Sequence, residues 1–278
     1  MANKTWFITG ASRGLGKELV QQLLSQNNVN IVATAREMAD LSYLSQEESA
    51  RILTLSLDVT NTREIKTAVD AAVKTFGSVD VLVNNASLAY FGSFEESDLN
   101  EARAIFEVNL WAGINLTQAV LPIMRKNHTG LIINQSSIGG LISAPTLSVY
   151  NASKFAVEGY SSALAQEVSP FGIKVLIVEA AGLRANEQTP SAKVVTTTIS
   201  DYKELAKKAR LNAQSSNHST GNPTKAIAFL IDQVQNHYAT LPLHLPLGIN
   251  VAATVVQHYQ DQINIFQRFQ EIDASFKK

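Results

Sequence analysis

The chain has 278 residues, a formal net charge of −1, 45% apolar and 17% charged residues, and no cysteine. One large core is within reach of that composition, while the near-neutral charge gives no footing for nucleic acid or an anionic membrane as partner. Disulfides and thiol catalysis are excluded, no apolar run approaches membrane-spanning length, and no basic stretch with a signal-like apolar region precedes the first strand, so a cytoplasmic protein is expected.

Trp6-Phe7-Ile8 predicts a buried strand, and the apolar spacing of Lys17 to Leu24 predicts a helix. Between them lies Thr9-Gly10-Ala11-Ser12-Arg13-Gly14-Leu15-Gly16. Glycines allow a tight turn and close approach of backbone to a pyrophosphate, and a helix N-terminus directs N–H groups and positive dipole at it. Further on, apolar runs at 30–34, 52–57, 79–83, 131–135 and 174–178 alternate with helical patterns at 15–26, 62–76, 101–127 and 151–168. Such alternation predicts an α/β fold: a Rossmann-type doubly wound parallel sheet with helices on both faces, in a single domain spanning 1–278. Asp58-Val59-Thr60-Asn61 ends the third strand, with Thr60 or Asn61 as cap of the next helix. Residues 186–223 are polar and rich in turn formers around a helical segment near 201–213. They form either a substrate-covering segment beyond the strand ends or a surface loop. Residues 249–278 are expected to form a C-terminal helical tail.

Four motifs recur in order: the TGxxxGxG turn, Asn84-Asn85-Ala86 after Val79 to Val83, Asn109 within Val108-Asn109-Leu110, and Tyr150-Asn151-Ala152-Ser153-Lys154, with Ser137 thirteen residues before Tyr150. Together they resemble the short-chain dehydrogenase/reductase family over most of the chain, more loosely beyond about residue 185. Thr34-Ala35-Arg36 and the segment Leu241 to Gly248 are similar to a ketoreductase and hydroxysteroid-dehydrogenase branch. The resemblance implies catalytic roles for Asn109, Ser137, Tyr150 and Lys154. It implies cofactor contacts from Gly10, Ser12, Arg13, Gly14, Leu15, Gly16, Arg36, Asp58, Val59, Asn85, Ala86, Ser87, Tyr150, Lys154, Ala181 and Leu183. It also implies a small-molecule carbonyl or alcohol substrate and a homodimer or homotetramer, the helices carrying Asn109 and Tyr150 often forming subunit interfaces in the family.

Charge points to the cofactor. An acidic residue ending the second strand accepts from the ribose hydroxyls of NAD and would repel a 2′-phosphate. Here Ala35 stands where NAD-preferring relatives carry the acid, Arg36 follows, and Arg13 converges from the glycine turn, so NADP(H) is expected. Asp58 would accept from the adenine amino group by resemblance, or cap its own turn. For the chemistry, Tyr150 is the expected general acid/base, and Lys154, four residues on and on the same helical face, lowers its pKa and holds the nicotinamide ribose. Ser137 orients the carbonyl and stabilises developing charge; Asn109 holds a water that passes protons to Lys154, as the resemblance implies. Taken singly, Ser137 as turn former, Asn109 as helix-packing group and the Tyr150–Lys154 pair as a surface feature remain alternatives. His128, His218, His237, His244 and His258 show no metal-site spacing, and no metal is expected.

The sequence departs from the family at Ala180, Ala181 and Ala185, where Pro, Gly and Thr are usual, and at Ser87, where the family has glycine. A dinucleotide-binding regulator acting through a partner protein is therefore the second hypothesis. A sugar epimerase or dehydratase sharing YxxxK is the third, disfavoured because such relatives usually carry TGxxGxxG and a larger substrate domain.

Overall fold

In the computed structural model, residues 3–44, 50–184, 192–270 and 276 are described. β1 (Lys4–Ile8) runs into the glycine turn and α1 (Gly14–Leu24), then β2 (Val29–Ala35), β3 (Ile52–Ser56), α2 (Thr62–Phe76) and β4 (Val81–Asn84). A short β5 (Ala89–Phe91) precedes a nearly unbroken helical run: α3 (Leu99–Phe106), a π-turn at Glu107–Trp111, and α4 (Ala112–Asn127). After β6 (Gly130–Gln135) come α5 (Ser148–Val168), β7 (Ile173–Ala181), β8 (Ala192–Val194), α6 (Lys203–His218), α7 (Pro223–Asn236), β9 (His244–Gly248) and α8 (Val251–Gln267).

Seven strands make one parallel sheet in the order β3-β2-β1-β4-β6-β7-β9. Its central strands are apolar on both faces, as a sheet covered on both sides requires. One face buries Trp6, Ile8, Ile31, Val83 and Leu176 against Leu19 and Leu23 of α1 and Ile227 and Leu230 of α7. The other buries Phe7, Val32, Leu82 and Ile132 against Ile65 and Val69 of α2, Leu116 and Val120 of α4, and Leu164 and Val168 of α5. The result is one doubly wound domain, as the alternating pattern predicts. Of the two expected caps, Asn61 is the one used: its side chain accepts from the N–H groups of Arg63 and Glu64.

Four elements lie outside the sequence-predicted set. β9 extends the sheet as an edge strand, α7 covers α1, and β5 pairs in parallel with β8. In the described part of 186–223, the chain is therefore strand and helix more than loop. Glu96 Oε1 accepts from Thr198 N at 2.6 Å and Ile199 N at 2.9 Å, tying that segment to the region after β5. Residues 185–191, which include Ala185 and the Asn186 to Pro190 stretch, lie outside the described residues.

Gly248 closes β9 with φ +131°, and a Cβ there would sit 1.8 Å from the carbonyl oxygen of Ala181. Gly248→Ala is expected to pull β9 from β7 and lower stability by on the order of 3 kcal/mol, read as a fall in urea midpoint with the slope unchanged.

Candidate active site

Parallel strands present their carboxyl ends on one edge, and the sheet order reverses direction between β1 and β4, where a crevice forms. A cavity of about 630 Å³ opens there. Twelve of the expected site residues line it: Gly10, Ser12, Arg13, Gly14, Leu15, Arg36, Asp58, Val59, Asn85, Ala86, Ser87 and Tyr150. Gly16, Asn109, Ser137, Lys154, Ala181 and Leu183 are not among its lining residues, although Gln135, Ser136 and Ala180 beside them are.

Gly16 supports the turn from beneath. A Cβ on it would lie 2.4 Å from both the Gly10 carbonyl oxygen and Asn85 Nδ2, so only glycine lets helix and turn close together. Asn85 Nδ2 donates to the carbonyls of Thr9 at 2.9 Å and Gly10 at 3.1 Å. Thr9 Oγ1 accepts in turn from the N–H groups of Asn85 and Ala86. Thr9 thus joins the β1 turn to the β4 turn, a role the motif reading missed. α1 has no side-chain cap at Arg13, which leaves its N-terminus facing the cavity. Neither the Arg13 nor the Arg36 guanidinium makes a hydrogen bond or ion pair among the described residues. Asp58 accepts from Thr60 N and Oγ1, which hold its carboxyl below the usual range, with Arg36 adding a weaker pull. The capping alternative for Asp58 is realised in this turn.

At the other end of the cavity, Ser137 follows β6 and its Oγ accepts from Gly139 N at 3.1 Å, so it also shapes a turn. Burial pushes the Tyr150 phenol up, while the Ser137 hydroxyl pulls it down. The expected net lowering of the phenol is not what this environment produces, because desolvation of the phenolate outweighs the stabilisation offered. Lys154 is fully buried, its ammonium 5.9 Å from the Tyr150 ring centroid and donating to the Gln135 carbonyl at 2.8 Å. Burial brings its pKa down to about 8, with Glu158 acting in the opposite direction.

Asn109 sits in the π-turn, a deviation that often marks functional positions. Its Oδ1 accepts from Leu88 N at 2.8 Å and Ser87 Oγ at 3.2 Å, and its Nδ2 donates to Leu88 O at 2.9 Å and Ser153 Oγ at 3.0 Å. The side chain is used up in bracing residues 87–88 against α5 and is not available to hold a water. Ser87, where the family has glycine, spends its hydroxyl on that brace. Below, Asn84, Asn134 and Ser161 form a buried chain of 2.8 Å hydrogen bonds linking β4, β6 and α5. Thr146, at φ +77°, holds a left-handed backbone that β-branched residues rarely adopt, four residues before Tyr150. Its carbonyl accepts from Gly92 N at 2.8 Å. After β7, Gly182 turns at φ +65°, Gly221 pairs across with residues 182–184, and Leu183 packs against the core on the α1 and α7 side.

The family model for short chain dehydrogenase matches residues 4–195. The chain belongs to the short-chain dehydrogenase family. It is 37% identical over 246 residues to Oxidoreductase BOA17 of Botryotinia fuckeliana, covering 88% of this chain and 89% of that one. Oxidoreductase calM of Penicillium decumbens is 34% identical over 284 residues, covering 98% and 93%. A short-chain dehydrogenase from Streptomyces avermitilis superposes with a TM-score of 0.91 at 32% identity over the full length of both chains. The protein is thus an oxidoreductase of a family that uses a nicotinamide cofactor and small-molecule substrates. No helix among the described residues is long and apolar enough to cross a membrane.

Because Lys154 binds its proton less readily when folded, the charged ammonium weighs against folding fully below pH 8, and that cost fades as pH rises from about 8 towards 10.5. Lys154→Met is expected to raise stability at pH 7 by on the order of 2 kcal/mol, with the gain shrinking at pH 10. Thermal midpoints of the two proteins at both pH values check this.

Proposed function

We propose that the protein is an NADP(H)-dependent oxidoreductase that reduces a carbonyl to a secondary alcohol, or the reverse, with Tyr150 as general acid/base. The observation that carries the cofactor choice is the pair of unpartnered guanidiniums, Arg13 and Arg36, lining the end of the cavity where β2 finishes in Ala35 rather than an acid. Two guanidiniums lining one cavity suit a phosphate dianion. The glycine turn, braced by Asn85, and the α1 N-terminus, which has no side-chain cap from Arg13, fit a pyrophosphate beside them. Asp40 lines the same end and, with Tyr43 on Ala11 O at 2.7 Å, bounds the adenosine side.

A nicotinamide held in this cavity would supply hydride to the carbonyl carbon. The chain's own residues handle the proton: Tyr150 O–H gives it to the carbonyl oxygen, Ser137 Oγ–H steadies that oxygen, and buried Lys154 returns a proton to the phenolate. A raised phenol pKa keeps Tyr150 protonated and ready to donate, which suits the reductive direction. The segment from β8 to α6 covers the substrate in this reading, supported by its ties to the region after β5, and the chain acts as a homodimer or homotetramer in the cytoplasm.

The altered nicotinamide end favours one other reading, a cofactor-binding regulator: Ala180 lines the cavity where the family has proline, and Ser87 is tied to Asn109. NADPH binding without turnover on a broad carbonyl panel would support it.

In Tyr150→Phe, carbonyl reduction should fall at least about 100-fold while NADPH affinity stays within a few-fold; undiminished turnover refutes the mechanism. Arg13→Ala with Arg36→Ala should weaken NADPH binding by roughly 10- to 100-fold and leave NADH nearly unchanged, read by nicotinamide fluorescence. Equal losses for both nucleotides would remove the arginines from cofactor choice.

A further inference from the structure

Behind Lys154 stands a group of ionisable side chains that the reaction above leaves unused. Glu158, one turn on along α5, and Glu179 near the end of β7 have side chains only 9% and 1% exposed, while the His244 side chain on β9 is 47% exposed. His244 Nδ1 lies 2.7 Å from Glu179 Oε1 and 3.6 Å from Glu158 Oε2. Both Glu158 oxygens, Glu179 Oε2 and the buried Ser136 hydroxyl make no hydrogen bond of good geometry among the described residues, although Ser136 lies close enough to Glu158 to pull its carboxyl down. Buried carboxyl oxygens rarely stand without donors, and several around one point indicate a place where protons or water pass.

The geometry gives this group two ends. Ser136 lines the cavity, and its Oγ and Glu158 Oε1 both crowd the space above Gly140, at 2.5 Å and 3.0 Å from where a Cβ would be. Lys154 shares the buried face of α5 with Glu158. The far end is the half-exposed imidazole, in reach of bulk water. Among the described residues Tyr259 of α8 is the remaining titratable neighbour, its phenol raised by burial and then by both carboxylates.

Every carbonyl reduction consumes one proton at Tyr150, and Lys154, which returns it, is sealed from solvent. The Asn109 side chain is taken up by Ser87, Leu88 and Ser153. We infer that Glu158 and His244 conduct protons between bulk solvent and Lys154, with Glu179 orienting the imidazole; the inference rests on the oxidoreductase reading. In the reductive direction the Lys154 ammonium gives an N–H proton to the Tyr150 phenolate, and the Glu158 carboxyl gives its O–H proton to the Lys154 amine through a bridging water. His244, neutral with its proton on Nδ1 against Glu179, takes a proton from water at Nε2, gives its Nδ1 proton to the Glu158 carboxylate, and is reset by losing the Nε2 proton to water and regaining one at Nδ1. Alcohol oxidation runs the same transfers backwards, with no net change in any residue.

Energetics suit the transfers. Burial pushes Glu158 up to about 7, Ser136 opposing and Glu179 assisting, with His244 and Lys154 pulling down, and burial brings Lys154 down to about 8. Donor and acceptor are thus matched near neutrality, where proton transfer is fastest in both directions. Histidine is the side chain that changes charge in that range, whereas arginine holds its proton throughout.

That contrast defines the test. His244→Arg keeps a cation between the two carboxylates and cannot release a proton; Glu158→Gln keeps the shape and cannot carry one. In ligand-free protein labelled at lysine Nζ, solvent exchange of the Lys154 ammonium protons, followed by NMR in EDTA, should slow about tenfold in each variant. With a carbonyl substrate, kcat at pH 7 should fall by a similar factor with KM within twofold, and added imidazole should restore rate to His244→Ala. Exchange and kcat at parent levels in His244→Arg would overturn the conduit, and so would an exchange difference that EDTA abolishes, since it would belong to a bound cation. A parent without turnover would instead refute the oxidoreductase reading, and the exchange rates alone would then decide the conduit.

Discussion

One buried cation organises this molecule. Lys154 lies across the carboxyl end of β6, its ammonium held by the Gln135 carbonyl. Removing a lysine from water is costly, and the fold meets that cost with a backbone oxygen and a carboxyl one turn away. The position of α5 that achieves this is set from below by a polar chain through Asn84, Asn134 and Ser161, with Tyr160 and Thr117 bonded to its side. Such a network is directional in a way that apolar packing is not. It fixes the rotation of α5, and with it where Tyr150 and Lys154 point.

The other half of the site follows from topology. Because β1 and β4 are neighbours from which the chain winds outward in opposite senses, the turns after them face each other, and Thr9 and Asn85 join the two by hydrogen bonds. Gly10 and Gly16 permit that approach; Arg13 and Arg36 bring positive charge to its rim. A dinucleotide-sized cavity is thus produced by the same contacts that close the core.

Much of this was legible in the chain. The six apolar runs at 6–9, 30–34, 52–57, 79–83, 131–135 and 174–178 all became strands of the main sheet, since fully buried parallel strands announce themselves as continuous apolar segments. β9 escaped because it is an edge strand that alternates exposed and buried residues and contains Pro246, features that demote a strand reading. α7 carried a usable signal, Asn222 as cap followed by Ile227, Leu230, Ile231 and Val234 on one face, hidden by the turn-rich residues before it. In the site, motif spacing located Tyr150, Lys154 and the glycine turn, but it carried no information on hydrogen-bond saturation. The full engagement of Asn109 depends on Leu88 and Ser153, and the meeting of Glu158, Glu179 and His244 depends on three separate elements.

The burial of Lys154 is the claim on which the rest turns, and its protonation can be observed directly. In ligand-free protein labelled at lysine Cε, the Lys154 resonance, assigned by its absence from Lys154→Met, should titrate with a midpoint near 8. A midpoint at the ordinary lysine value of 10.5 would mean a solvated ammonium, and would contradict both the poised acid at Tyr150 and the sealed position of its partner.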